Sequence, residues 1–305
     1  MPISFSVRSR RSTVGRVLLF FLICALLLTL AGPLCSRLPS QFSQVVLGSI
    51  TTVATVIVTG LFLRWDKLRF RDVGAAPDRR STIRVLVGFA LGLLLVALQT
   101  CFVMLAGHVQ WVRTPSVGPA SVGTALLAYV TLASREELAF RGYPLRRLDD
   151  RFGVWSAQFV VAIVFAIEHV AGGATWANAI LGAFVGSLLF GMAALAMRGL
   201  AVPIGLHAAW NFGQWTLGEK ETPGLWRPVV EHGYNLHVDH MGMLGYLLVF
   251  GSATVAFYLF GNFQTNREQK QARQKAKRNS VNCRVPRIPG RHPSVSATSN
   301  PCPTT

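Results

Sequence analysis

Adjacent carboxylates, Glu136 and Glu137, follow an apolar run long enough to cross a membrane, in the stretch Ser134 to Arg147, SREELAFRGYPLRR. Ionisable groups at bilayer depth are costly and normally face a protein-lined cavity, so they are functional candidates from the outset. On a helix Glu137 and Arg141 stand four apart and share a face, so the acid can be braced by the cation. Glu136 then lies about 100° round, free to act as a base. A structural ion-pair lock between helices accounts for Glu137 and Arg141 equally well.

Two further pairs repeat the spacing of four. Phe165 and His169, in FAIEH, place an aromatic wall beneath an imidazole, with Glu168 directed elsewhere. His207 and Asn211, in HAAWN, put an imidazole and a carboxamide on one face. Two imidazoles, a carboxylate and a carboxamide from separate helices can hold and deprotonate a water, directly or through a divalent metal, and stabilise the oxyanion formed at a peptide carbonyl.

The rest of the chain reads as the scaffold for these groups. Of 305 residues, 51% are hydrophobic and 14% charged, and the mean hydropathy is +0.42. That is too apolar for a water-soluble domain. Apolar runs of span length lie at 17–34, 45–63, 85–106, 122–140, 154–170, 177–197, 200–216 and 243–260. The fold class expected is all-α, a polytopic membrane helical bundle of about eight transmembrane helices. The first run is read as a retained anchor rather than a cleaved signal, because Cys35-Ser36-Arg37 is not a small-residue cleavage site.

Basic residues alternate between loops. The N-terminus, the 64–84 loop, the Arg146–Arg151 region and the tail are rich in Lys and Arg, whereas the loops near Arg37, Arg113 and Gly172 and the 218–240 segment are poor in them. Both termini are therefore expected in the cytoplasm, with the protein multi-pass in the inner or plasma membrane. The net charge of +17 follows this pattern, and with no aromatic interleaving no nucleic-acid partner is expected. The division expected is a basic N-terminus (1–16), helices one to three (17–121), a core of helices four to seven (122–217), an outer loop (218–240), a last helix (241–261) and a disordered basic tail (262–305) that rests on anionic lipid headgroups. Five scattered cysteines show no metal or redox spacing. His232, His237 and His240 are expected as exposed loop residues, and Gly182, Gly186 and Gly191 as points of close helix contact.

EELAFR, FAIEH and HAAWN resemble, in order, the EExxxR, FxxxH and HxxxN motifs of the CPBP family, the intramembrane proteases that include Rce1-type CAAX proteases and bacterial Abi proteins. The resemblance covers about 122–217. It implies a hydrolase that cuts a membrane-associated peptide or protein. Glu136 would activate water, His169, His207 and Asn211 would line the water, metal or oxyanion site, and Glu137, Arg141 and Phe165 would support them. A divalent metal such as zinc, held by Glu136, His169 and His207, is the cofactor to look for. Two other classes fit the buried charges: a transporter whose Glu, His and Arg form a proton path, and a non-catalytic scaffold or bacteriocin-immunity protein.

One tension follows from the spans. Glu136 falls near the cytoplasmic end of helix four, whereas His169 lies fifteen residues, about 22 Å, above Val154. A shared site requires helix four to continue past Arg141 toward Arg147, or the start of the next helix to lie below the membrane.

Overall fold

Every apolar run of the sequence becomes a helix. The computed structural model describes residues 10–220 and 222–284. In chain order the helices are α1 (Arg10–Cys35), α2 (Ser40–Asp66), α3 (Ser81–Ala106), α4 (Pro119–Glu136), α5 (Tyr143–Phe152) and α6 (Val154–Ala171). These are followed by α7 (Trp176–Ala196), α8 (Ala201–Thr216) and α9 (Asn235–Arg284). Among the described residues six helices, α1, α2, α3, α6, α7 and α9, are long and apolar enough to cross a membrane. The chain is thus a multi-pass membrane protein of the all-α class.

The two site-bearing helices left out of that six are α4 and α8, and the reason is physical. Leu18, Leu22, Leu26 and Leu30 of α1 are exposed, as lipid-facing side chains are. By contrast α8, only 16 residues long, buries Val202, Leu206, Ala208, Ala209, Trp210 and Trp215 around its circumference. An inner helix shielded by its neighbours does not need an all-round apolar surface.

Glycines set the closest approach, two of the expected three among them. A Cβ on Gly205 of α8 would lie 2.0 Å from the Val85 carbonyl oxygen, and one on Gly88 of α3 would lie 2.1 Å from that of Val202. Backbone therefore meets backbone along α3 and α8, the small-residue packing typical of membrane helices. Of the expected glycines, Gly191 abuts the Gln158 carboxamide and Gly186 the Tyr246 hydroxyl, while Gly182 faces open space.

At one end of the bundle Asp66, 1% exposed at its side chain, pairs with Arg147 at 2.9 Å and with Arg16, and accepts the Tyr143 hydroxyl at 2.9 Å. Arg16, Asp66 and Arg147 come from α1, α2 and α5, so the boundary of the bundle lies at Arg147. At the opposite end an antiparallel ribbon pairs β1 (Val109–Arg113) with β2 (Trp226–Val230). His108 stacks on Tyr234 at 3.4 Å and holds Glu231 at 2.6 Å. The 218–240 segment is therefore not a plain loop: it contributes a strand, and the last helix begins inside it. His237 and His240 accordingly sit on the first turns of α9, exposed as expected.

The tail expected to be disordered from 262 is helical to Arg284. From 262 to 284 it has neither Gly nor Pro and is rich in Gln, Lys, Arg and Ala, all good helix formers. From Leu259 the described residues form a unit of their own. The remainder of the expected tail, 285–305, and the expected N-terminus up to residue 9 lie outside the described residues.

Candidate active site

The helix that carries the two acids does not stop at Glu136. It continues as a π-helical turn, Glu137–Gly142, and turns at Gly142 (ψ −109°) into α5, with Pro144 in the first turn, where no backbone N–H is needed. A π turn is wider than an α turn and is found disproportionately at functional sites. Every residue of this one is buried. Glu137 and Arg141, both 0% exposed, pair at 3.3 Å, and the guanidinium lies 4.5 Å over the Phe165 ring and donates to the Ser187 carbonyl at 3.4 Å.

Glu137 also reaches a second helix. His207 Nδ1 donates to Glu137 Oε1 at 2.8 Å. Because a carboxylate only accepts, the proton is fixed on Nδ1, and Nε2 is left for the site. The His207 ring stacks on Phe190 at 4.2 Å, and its Nε2 stands 3.6 Å from Glu136 Oε2. His169 is set in the same way: its Nδ1 donates to the Phe165 carbonyl at 2.9 Å, and the ring lies 4.4 Å from that of Phe165. Both imidazoles thus hold their Nδ1 protons outward and keep Nε2 available.

The depth conflict is resolved at Arg135 and Glu168. These neighbours of Glu136 and His169 pair at 2.5 Å, which sets the end of α4 level with the end of α6. The boundary moves down because the chain runs on through the π turn and α5 to Arg147. Glu168, expected to face elsewhere, is the partner of Arg135.

A cavity of about 360 Å³ opens on this group. His169, His207 and Asn211 line it, together with Gln99, Gln214 and Lys220. Lys220 Nζ donates to Asn211 Oδ1 at 3.0 Å. The structure therefore brings His169, His207 and Asn211 onto one cavity with Glu136 beside His207, and places Glu137, Arg141 and Phe165 behind them as packing. Phe190, the Arg135–Glu168 pair and Lys220 carry no signal at the spacings used for the sequence.

Glu136 Oε2 and His207 Nε2 form a two-donor edge, but among the described residues no three of His, Cys, Asp and Glu are grouped to hold an ion. As placed, Glu136, His169 and His207 do not fit a three-ligand centre.

Residues 117–213 match the family model described as Rce1-like, type II CAAX prenyl endopeptidase. No curated protein matches the chain. The matched segment contains the double acid, both imidazoles and Asn211, so the likeness to the Rce1-like CAAX proteases lies in the core that carries the site.

Proposed function

We propose that this protein is an intramembrane endopeptidase in which Glu136 is the general base. It would hydrolyse a peptide bond in a membrane-associated peptide or protein, with both termini in the cytoplasm of a cell whose inner or plasma membrane holds it. The observation that carries this reading is the Glu136–His207–Glu137 relay, with separations of 3.6 and 2.8 Å, beside a cavity that His169 and Asn211 also line.

A water between Glu136 and the two Nε2 atoms would give its proton to Glu136 as its oxygen attacks the scissile carbonyl carbon. The negative charge then develops on the carbonyl oxygen, where the Asn211 amide N–H supplies a hydrogen bond. On collapse the C–N bond breaks and Glu136 returns the proton to the leaving amine. Glu137 is acceptor-only and charge-compensated by Arg141, so it holds His207 in orientation without taking part in proton transfer.

The test is Glu136→Gln in the full chain, reconstituted in liposomes with a quenched farnesylated CAAX peptide as probe. Loss of one general base removes about 10²–10⁴ in rate. Cleavage should fall by that factor while the thermal unfolding midpoint is retained, and undiminished turnover would sink the mechanism.

A further inference from the structure

We propose that Lys220 is a positioning residue for Asn211, fixing the carboxamide so that its N–H group faces the cavity as the oxyanion donor. This rests on the protease reading above and adds to it a residue outside the three motifs. A lysine ammonium has N–H donors and no acceptor. Whatever faces Nζ at 3.0 Å must therefore be the amide oxygen of Asn211, and the amide nitrogen must point the other way. Asparagine alone has no such constraint, since its two ends are nearly isosteric.

Lys220 does not come from a membrane helix. It enters from the segment after α8, and that segment is tightly built. Gly218 has φ +77°, and its Cβ would fall 2.5 Å from the Trp226 carbonyl oxygen. A Cβ on Gly224 would fall 1.8 Å from the Trp215 carbonyl oxygen. The Glu219 N–H donates to the Gln214 carbonyl at 2.9 Å, and the Thr114 N–H ties Leu225 to the start of the ribbon at 3.0 Å. No side chain larger than hydrogen fits at either glycine, so the backbone on both sides of Lys220 is held against the end of α8. The consequence is a cation lowered into the cavity from the side opposite Arg147, half-buried and within electrostatic range of Glu136. Its charge polarises the Asn211 amide toward donation, which favours the oxyanion more than the neutral carbonyl.

The experiment compares Lys220→Met, Lys220→Arg, Asn211→Ala and the K220M/N211A double variant in the full chain, in liposomes, with the quenched farnesylated CAAX peptide. K220M is expected to lower kcat about tenfold or more with KM little changed, as loss of a group supporting a reacting one does. K220R is expected to recover most of that loss. If Lys220 acts through Asn211, the double variant is no slower than N211A alone. Unchanged kcat in K220M, or losses that multiply in the double variant, would overturn the proposal.

A second readout is independent of turnover. In ¹⁵N-labelled protein the side-chain amide resonance that disappears in N211A is expected to shift in K220M, and an unmoved resonance also overturns the assignment. Should K220M unfold, Lys220→Gln takes its place in both measurements. The underlying protease reading fails separately, if Glu136→Gln cleaves the probe as well as wild type. A dead Glu136→Gln with a normal K220M leaves that reading standing and removes only this one.

Discussion

Glu137→Leu isolates the brace from the base. Glu137 and Arg141 are both fully buried and 3.3 Å apart, so removing the acid strands a guanidinium in a low-dielectric interior, at a cost of about 3–5 kcal/mol. His207 loses the acceptor of its 2.8 Å hydrogen bond, and an unsatisfied buried donor adds about 1–3 kcal/mol. Against this, the guanidinium retains the Phe165 face at 4.5 Å, worth about 1–2 kcal/mol in either protein, and still feels Glu136 and Glu168. The two costs share one site and do not add fully, so a net loss of about 4 kcal/mol is expected. Glu137→Leu with Arg141→Met removes both charges, and such apolar replacement is often neutral. The double variant should therefore recover the stranded-charge part of the loss and keep about 1–3 kcal/mol from the unsatisfied His207 donor. Its proteolysis should stay lost, because His207 has no partner to fix its tautomer. Equilibrium unfolding in mixed detergent micelles measures the first, and the quenched-peptide assay the second. A double variant as unstable as the sum of its singles, or one that recovers turnover, would refute the view that Glu137 braces by charge and orients by hydrogen bond.

Two further outcomes follow from geometry outside the motifs. Gly205→Ala puts a methyl 2.0 Å from the Val85 carbonyl oxygen, two residues before His207. Overpacking of this kind costs about 1–3 kcal/mol, and kcat should fall along with the unfolding midpoint as His207 is pushed off Glu137; unaltered values would show that α3 does not set the position of α8. Burial lowers the Lys220 ammonium from its ordinary 10.5, with Glu219 and Glu136 partly offsetting it. In kcat this predicts an alkaline limb below pH 10.5 that Lys220→Arg abolishes. Burial disfavours the charged form, so the folded state sheds its proton first, and stability should rise rather than fall as pH climbs from the lowered value toward 10.5. A limb that follows unfolding would contradict this origin.

Much of the site was legible because a spacing of four survives as contact in a helix. Glu137 with Arg141, Phe165 with His169 and His207 beside Asn211 could each be written down from the chain. What periodicity does not carry is the pairing between helices. Arg135 finds Glu168 and His207 finds both acids only after α4, α6 and α8 are packed. The π turn was illegible for a related reason: ELAFRG has ordinary helix formers, and one extra residue in a turn leaves no mark in the apolar pattern. Lys220 was hidden because a loop cation normally reads as solvated, and only Gly218 and Gly224, seen with their neighbours, show that this loop is driven inward. The helical extension to Arg284 is hidden because its polarity resembles that of a disordered tail, although the same Gln, Lys, Arg and Ala residues favour helix in the absence of Gly and Pro.

The π turn at Glu137–Gly142 gives the site a property that substitutions do not probe. A π turn closes its hydrogen bond over one more residue than an α turn, so the width of the turn between Glu136 and Arg141 is set by a count. Deleting Leu138 would let an ordinary α turn form, and because that turn comes round with one residue fewer, Glu136 and Arg141 would keep their relative direction to within about 10° while the widened turn that seats Glu137 is lost. The length of the segment, rather than its composition, therefore sets the width of the turn around Glu137, and the loss of any one residue should disturb the His207 contact more than a conservative exchange at an apolar position.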